Sequence, residues 1–512
     1  MRLHERDCEL SNSINPQMRR FVLDQSEQAA LGDRVFRNTL ILIAGRGLGI
    51  VLSGAASILL VRYLGSTRLG EYGALYAYVA LYAWLATFGL ESILAREAAR
   101  NRTQAGSILF TGIILSISFS LVATALSLLL APSFGYPPKL RLLLVLAAVD
   151  LLILAPLRFP AIVFQVDLRQ WYPVGVGLLR QVIWLLALLV VAFLRSGLTG
   201  VVVGRMACGM CEVALTLVTV YHRGFLVRPW RFLPAQAREY ASCGFPIAVS
   251  ALAIGIYLRI DQVMLHNMTG DQALGPYVAA VNITELFGLL PVALMISMFP
   301  IFSQFASCNE HFVHYLKLSF RSMMAVVCGV CALVSPLAGP IIHLLYGEGF
   351  AASASLLSVL IWSEVPVFFG IVITNGLIAK NLQNYLPFVT GVGAAVNVLL
   401  NLLFIPRWGA LGAAWATNVS YSLASIFVFL VFRPTRSMAW TGLRIAIPPL
   451  ALALPIAAMF RELPLPVPTK VCAIVVGYGL GAWLTGVVRG DEINRMSQLI
   501  GRSFAFVRSS PA

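Results

Sequence analysis

Residues 39–61 read TLILIAGRGLGIVLSGAASILLV, 23 positions of nearly unbroken apolar character with one arginine, Arg46, set among Gly45, Gly47 and Gly49. As a helix rising 1.5 Å per residue this stretch is about 35 Å long, enough to cross the ~30 Å hydrocarbon core of a bilayer. It begins after 38 largely polar residues and runs too long for a cleavable signal peptide, so it reads as a permanent span. Thirteen further apolar runs follow: 72–94, 106–131, 142–164, 173–194, 198–221, 244–265, 274–302, 322–346, 354–379, 385–405, 410–432, 441–460 and 471–488.

The whole chain obeys the same pattern. With 59% hydrophobic and 12% charged residues it is too apolar for a water-soluble fold of this length. Backbone polar groups in lipid need internal partners, which leaves helices or a closed barrel. Runs of about 20 residues, rather than alternating ten-residue segments, select helices. The expected fold is therefore an all-α polytopic membrane protein of about fourteen transmembrane helices.

The net charge of +15 does not indicate nucleic acid, because the basic residues are scattered between apolar runs and form no basic face. Of the 37 Lys and Arg, six fall inside spans (Arg46, Arg158, Arg180, Arg205, Arg259, Arg444), and the rest divide 23 to 8 across the membrane. The richer side carries the N-terminus, the Arg96 to Arg102 turn, the Arg223 to Arg238 loop and the Arg489 to Arg508 tail. By the positive-inside rule that side is cytoplasmic, and an even span count places both termini there.

An internal repeat organises the spans. Leu69-Gly70-Glu71-Tyr72 is matched by Leu274-Gly275-Pro276-Tyr277 at an offset of 205. Gln170-Trp171-Tyr172-Pro173 is matched by Gln383-Asn384-Tyr385-Leu386-Pro387, and Gly197-Leu198-Thr199-Gly200 by Gly409-Ala410-Leu411-Gly412 at 212. Matches in one order at nearly constant spacing indicate duplication. The expected organisation is a polar cytoplasmic segment (1–38), a six-helix lobe (39–221), a basic cytoplasmic linker (222–243), a second six-helix lobe (244–432), two further helices (433–488) and a cytoplasmic tail (489–512). Parallel repeats of this kind suit alternating access around a shared midplane site.

Charges inside the membrane are costly and mark candidate sites. Glu285 and Glu364 lie roughly 15 Å into their spans, near the midplane, and Arg46 about 10 Å into its own. Arg259 and Asp261 lie six and four residues from the end of theirs, where snorkelling to the outer interface is the competing reading. Arg46, Arg158, Arg180 and Arg205 give the first lobe an electropositive wall suited to phosphate or pyrophosphate, which the planar guanidinium binds through paired hydrogen bonds. Structural pairing competes: Arg205 with Glu212, seven residues apart on one helix face, and Asp150 with Arg158. Gly45 and Gly49 form a small-xxx-small face for close helix approach. Prolines such as Pro156, Pro160, Pro246 and Pro336 interrupt several spans.

No catalytic motif accompanies these charges. Cys208 with Cys211 and Cys328 with Cys331 form C-x-x-C pairs, but both lie in apolar spans without histidine neighbours and read as packing residues. The sequence contains no Walker loop, H-E-x-x-H pair or G-x-S-x-G elbow, and no long extramembrane loop for glycosyl transfer. The expectation is a transporter without cofactor, metal or catalytic residues.

Val61-Arg62-Tyr63-Leu64-Gly65 with Leu69-Gly70-Glu71-Tyr72-Gly73, Phe88-Gly89-Leu90 with Arg96-Glu97, Arg259-Ile260-Asp261-Gln262-Val263-Met264-Leu265 with Gly270-Asp271, and Glu285-Leu286 through Leu290-Pro291 to Phe299-Pro300 resemble, in order and spacing, the polysaccharide transporter (Wzx-type flippase) family of the multidrug/oligosaccharidyl-lipid/polysaccharide (MOP) superfamily. The resemblance covers nearly the whole span region. It implies a V-shaped pair of lobes with a central cationic cavity and translocation of undecaprenyl-pyrophosphate-linked oligosaccharide (O-antigen, capsule or exopolysaccharide) across the bacterial inner membrane. Arg46 and Arg259 are the head-group contacts it suggests; Arg180 and Arg205 join them as candidate cavity residues, with Asp261, Glu285 and Glu364 as candidate coupling carboxylates. Expected partners are the lipid-linked oligosaccharide, the bilayer, and the polymerase and glycosyltransferases of the same pathway. Two alternatives stand beside this reading: a drug/cation antiporter of the related multidrug branch, which needs an acidic cavity, and a noncatalytic scaffold of a glycan-assembly complex.

Overall fold

A computed structural model describes residues 16–166, 169, 171–222, 230–306 and 308–487. Among the described residues the secondary structure is helical throughout and contains no strand. The principal helices are α1 (Pro16–Ala80), α2 (Ala105–Leu130), α3 (Trp171–Phe193), α4 (Gly197–His222), α5 (Pro234–Thr269), α6 (Asp271–Phe287) and α7 (Leu386–Ser422). Among the described residues, twelve helices are long and apolar enough to cross a membrane. Two of these, of 54 and 49 residues, each cover two of the apolar runs and break at Gly65 and Gly409, so a count of fourteen depends on taking both as pairs.

The repeat is visible in the backbone. Gly65 (φ 67°, ψ 177°) and Gly270 (φ 81°, ψ 175°) share one conformation at an offset of 205. Gly197 and Gly409, 212 apart, also have positive φ, as do Gly135 and Gly347. Only glycine enters that region without a Cβ clash, so each pair marks the same chain reversal built twice.

The two copies meet where the first repeated motif lies. A Cβ on Gly70 would stand 2.1 Å from the Asp271 carbonyl oxygen, and one on Gly275 1.8 Å from that of Ser66. Ser66 and Asp271 are themselves 205 apart, so the contact is reciprocal about a local two-fold axis. Backbone touches backbone there, and this end of the molecule is shut. Arg62 adds a clasp: its Nε and Nη2 each donate at 2.6 Å, to the carbonyls of Leu345 and Leu344. Those carbonyls end the helix Ala338–Tyr346, where a cation is favoured.

Small residues set the packing elsewhere. Gly45 and Gly49 do face a neighbour: Cβ atoms there would stand 2.2 Å from Val174 and 3.3 Å from Gln181, both on α3, whereas Gly47 faces open space. The fourth span is the least regular. It passes from α-helix (Pro138–Ala147) through a π-helical turn (Asp150–Leu154) and short pieces around Pro156 and Pro160. Pro246, by contrast, is absorbed within α5. The two C-terminal helices, Arg433–Glu462 and Val467–Leu484, follow α7.

Candidate functional site: a charged central cavity

A cavity of about 700 Å³ lies beside the closed end, between the second, fourth, fifth and sixth spans of the first half and α5 and α6 of the second. Helical periodicity places its walls. On the second span Tyr72, Tyr76, Ala80, Ala83 and Thr87 recur at intervals of three or four, and on α4 Arg205, Gly209, Glu212 and Thr216 do the same. Gly209 matters here because a Cβ would strike Leu154 at 2.3 Å; its absence lets the π-helical turn approach. That turn and the broken helix after it present Asp150, Leu151, Ala155, Arg158 and Phe159 to the cavity. π-Turns of this kind occur often at functional sites.

Four arginines line the cavity: Arg158, Arg180, Arg205 and Arg259. Arg205 is held by aromatic groups. Its Nη1 donates to the Tyr72 hydroxyl at 2.5 Å, and its guanidinium lies 4.0 Å from the Tyr76 ring centroid, a cation–π contact. No described carboxylate lies within ion-pair distance of it. Arg158 Nη2 donates to Glu212 Oε2 at 3.1 Å, and Arg180 Nε lies 3.6 Å from the other oxygen of the same carboxylate. Arg259 pairs with Glu285 at 3.0 Å.

These contacts revise several sequence expectations. Glu212 serves Arg158 and Arg180 rather than Arg205, and Arg158 turns to it instead of to Asp150. Arg259 does not snorkel beside Asp261 but pairs with Glu285 on the next helix. Asp261 is buried, accepting hydrogen bonds from the Tyr277 hydroxyl and, at 2.8 Å, from the Gln262 backbone amide. Glu364 is also buried; its Oε2 has no hydrogen-bond partner among the described residues and lies near Gly288. Thus Arg180, Arg205, Arg259 and Glu285 converge on the cavity, while Asp261 and Glu364 do not line it. The side chain of Arg46 lies outside the described residues.

The lining is also less cationic than the family resemblance implied. Glu91, Asp150, Glu212 and Glu285 face the same space as the four arginines. The first half supplies three residues of each sign, so it is not a purely electropositive wall. Arginines drawn into a membrane interior need counter-charges, and residues on neighbouring helices supply them.

A helical, pseudo-symmetric, polytopic membrane protein with a charged cavity beside a closed inter-half contact is a transporter fold. The chain belongs to the polysaccharide biosynthesis protein family, whose model matches residues 35–306; the model of the lipid II flippase MurJ matches residues 177–477. The probable low-salt glycan biosynthesis flippase Agl15 of Haloferax volcanii is 21% identical over 377 residues, 71% of this chain and 76% of the relative. Among solved structures, an inward closed conformation of the lipid II flippase MurJ aligns with a TM-score of 0.68 at 12% identity, covering 86% of this chain and 98% of that one. An inward-facing multidrug resistance transporter of the MATE family, within the MOP superfamily, aligns with a TM-score of 0.61 at 17% identity, covering 77% and 96%. At these identities the structural likeness speaks for the fold alone.

The site residues missed from sequence are Tyr72, Tyr76 and the bridging role of Glu212. Tyr72 carried a signal, since it ends the first repeated motif. The others depend on contacts between helices that spacing along one helix does not report.

Proposed function

We propose that the protein flips a lipid-linked oligosaccharide by alternating access, the arginines of the cavity receiving the phosphate groups of the lipid carrier. The observation that carries this reading is Arg205, whose guanidinium is oriented by two tyrosines, faces the cavity and has no carboxylate partner among the described residues. Phosphate is the anion its fork of donors fits. Family membership and the flippase relative Agl15 support the same conclusion. In the finer reading the carrier is undecaprenyl pyrophosphate, the membrane is the bacterial inner membrane, both termini are cytoplasmic, and the cavity loads from the cytoplasmic leaflet. Residues 39–221 and 244–432 act as the two lobes, and Asp261, Glu285 and Glu364 tune the cavity or couple it to an ion. Drug/cation antiport is less well supported, because Glu212 and Glu285 are engaged by arginines.

The test is reconstitution of the full chain in liposomes with a fluorescent undecaprenyl-pyrophosphate-linked saccharide, its movement read by loss of accessibility to an impermeant quencher. Arg205→Ala is expected to lower the initial rate by about 100-fold at unchanged protein yield, the scale of losing a charge-assisted anchor worth about 3 kcal/mol. Wild-type movement of this probe no faster than in protein-free liposomes would overturn the reading. So would full activity of Arg205→Ala.

A further inference from the structure

We infer that Glu212 is a built-in stand-in for the substrate anion: it occupies Arg158 and Arg180 when the cavity is empty and is displaced from them when an anionic head group arrives. This inference rests on the flippase reading above and adds to it a residue that tunes both affinity and release.

The geometry is that of a shared counter-ion. Glu212 stands on α4 two turns beyond Arg205, and its two oxygens are divided between two arginines from different segments, Arg158 of the broken fourth span and Arg180 of α3. Each guanidinium has five N–H donors and spends few of them on Glu212. Arg180 Nε, although buried, makes no hydrogen bond to any described group, because 3.6 Å is beyond bonding distance. One carboxylate shared by two guanidinium groups leaves the trio with a net positive charge and its donors incompletely satisfied.

Carboxylate and phosphate oxygens are alternative acceptors for the same guanidinium fork. A pyrophosphate carries more charge and more oxygens than one carboxylate, so it can take over both arginines. Glu212 is tethered, however, and returns as the head group leaves. A carrier needs this balance, because a site of four uncompensated arginines would hold a pyrophosphate too tightly to turn over. On the opposite wall Arg259 and Glu285 form a one-to-one ion pair at 3.0 Å, which an arriving anion could open in the same way.

A purely structural ion pair predicts the opposite consequence of neutralising Glu212. Loss of a scaffold would let the arginines drift and weaken binding. Loss of a competitor strengthens it while slowing release. Glu212→Gln keeps the shape and one acceptor oxygen, so it separates the two.

The experiment uses the full chain in nanodiscs, with binding of undecaprenyl pyrophosphate and, separately, inorganic pyrophosphate measured calorimetrically, and the liposome assay run in parallel. Glu212→Gln is expected to bind both probes about tenfold more tightly, and to show a lower half-saturating concentration together with a lower maximal rate. Glu212→Asp, which keeps the charge, is expected to show no tightening. Equal or weaker binding by Glu212→Gln, or tightening with only one probe, would overturn the inference while leaving the flippase reading in place. Should Glu212→Gln fail to fold, Glu285→Gln carries the same expectation through Arg259. Failure of the wild-type protein to bind either probe would remove the flippase reading and this inference with it.

Discussion

Replacing Gly275 by alanine tests the closed end directly. The added Cβ would stand 1.8 Å from the Ser66 carbonyl oxygen. A carbon and a carbonyl oxygen settle at about 3.3 Å or more, so the two backbones must separate by roughly 1.5 Å. Both are helix backbone, and no flexible side chain is available to yield. Overpacking of this kind costs about 1–3 kcal/mol, which disfavours the closed arrangement by a factor of about 5 to 150. Gly70→Ala inserts its Cβ 2.1 Å from the Asp271 carbonyl oxygen and, by the local two-fold, should act in the same direction. One opening relieves both clashes, so the double variant should cost less than the sum of the two. The assay is hydrogen–deuterium exchange of the full chain in nanodiscs, read over residues 65–73 and 270–278. Faster exchange confined to these two segments, with slower flipping, is the expected result. A folded Gly275→Ala protein with unchanged exchange and a wild-type flipping rate would refute the argument that this contact closes the cavity.

Two other perturbations act on the same frame. Arg62→Ala removes two hydrogen bonds to the last carbonyls of the helix Ala338–Tyr346 and should speed amide exchange of that helix several-fold, since an exposed charged donor is worth about 1 kcal/mol. Gly442→Ala drives a methyl to within 2.6 Å of Phe320 and 2.8 Å of Phe369, so it should lower the apparent unfolding temperature without changing the affinity for pyrophosphate.

The spans were legible in the sequence because lipid imposes a one-dimensional rule: about twenty apolar residues per crossing, with charge only where protein or water receives it. The repeat was legible as well, since Gly70 and Gly275 are required at their positions by backbone contact and the motif cannot drift there. The pairing of charges was not. Glu212 lies seven residues from Arg205 on one helix face, which suggests a partnership; the partners it takes stand on two other segments, and neither distance along the chain nor periodicity encodes that. Arg205 illustrates the same limit from the other side. Its cation–π contact with Tyr76 uses an aromatic residue that, in a span, is indistinguishable from core packing until the helices are assembled. The irregular fourth span was half legible: Pro156 and Pro160 marked a break, but the π-turn that aims Asp150 into the cavity has no such signature.

The duplication also places side chains of opposite charge against equivalent tyrosines in the two halves. Tyr72 and Tyr277 are repeat equivalents, and each binds a charged side chain near the axis: Tyr72 accepts from Arg205, and Tyr277 donates to Asp261. By the same offsets Arg205 corresponds to Thr417, which lies 3.4 Å from the Tyr277 hydroxyl, and Asp261 corresponds to Ala56. One ancestral arrangement, a tyrosine facing two positions on neighbouring helices, therefore carries a cation in the first half and an anion in the second. Only the first of these opens to the cavity; the second is sealed in the interior of its own half. A symmetric pair of arginines would place two unpaired cations beside the axis, with mutual repulsion and no counter-charge. A single arginine there, opposed by a buried acid in the other half, leaves one cation facing the cavity at this position. On the proposed flippase reading, the first half contributes Arg158, Arg180 and Arg205 to the binding wall and the second half the Arg259–Glu285 pair.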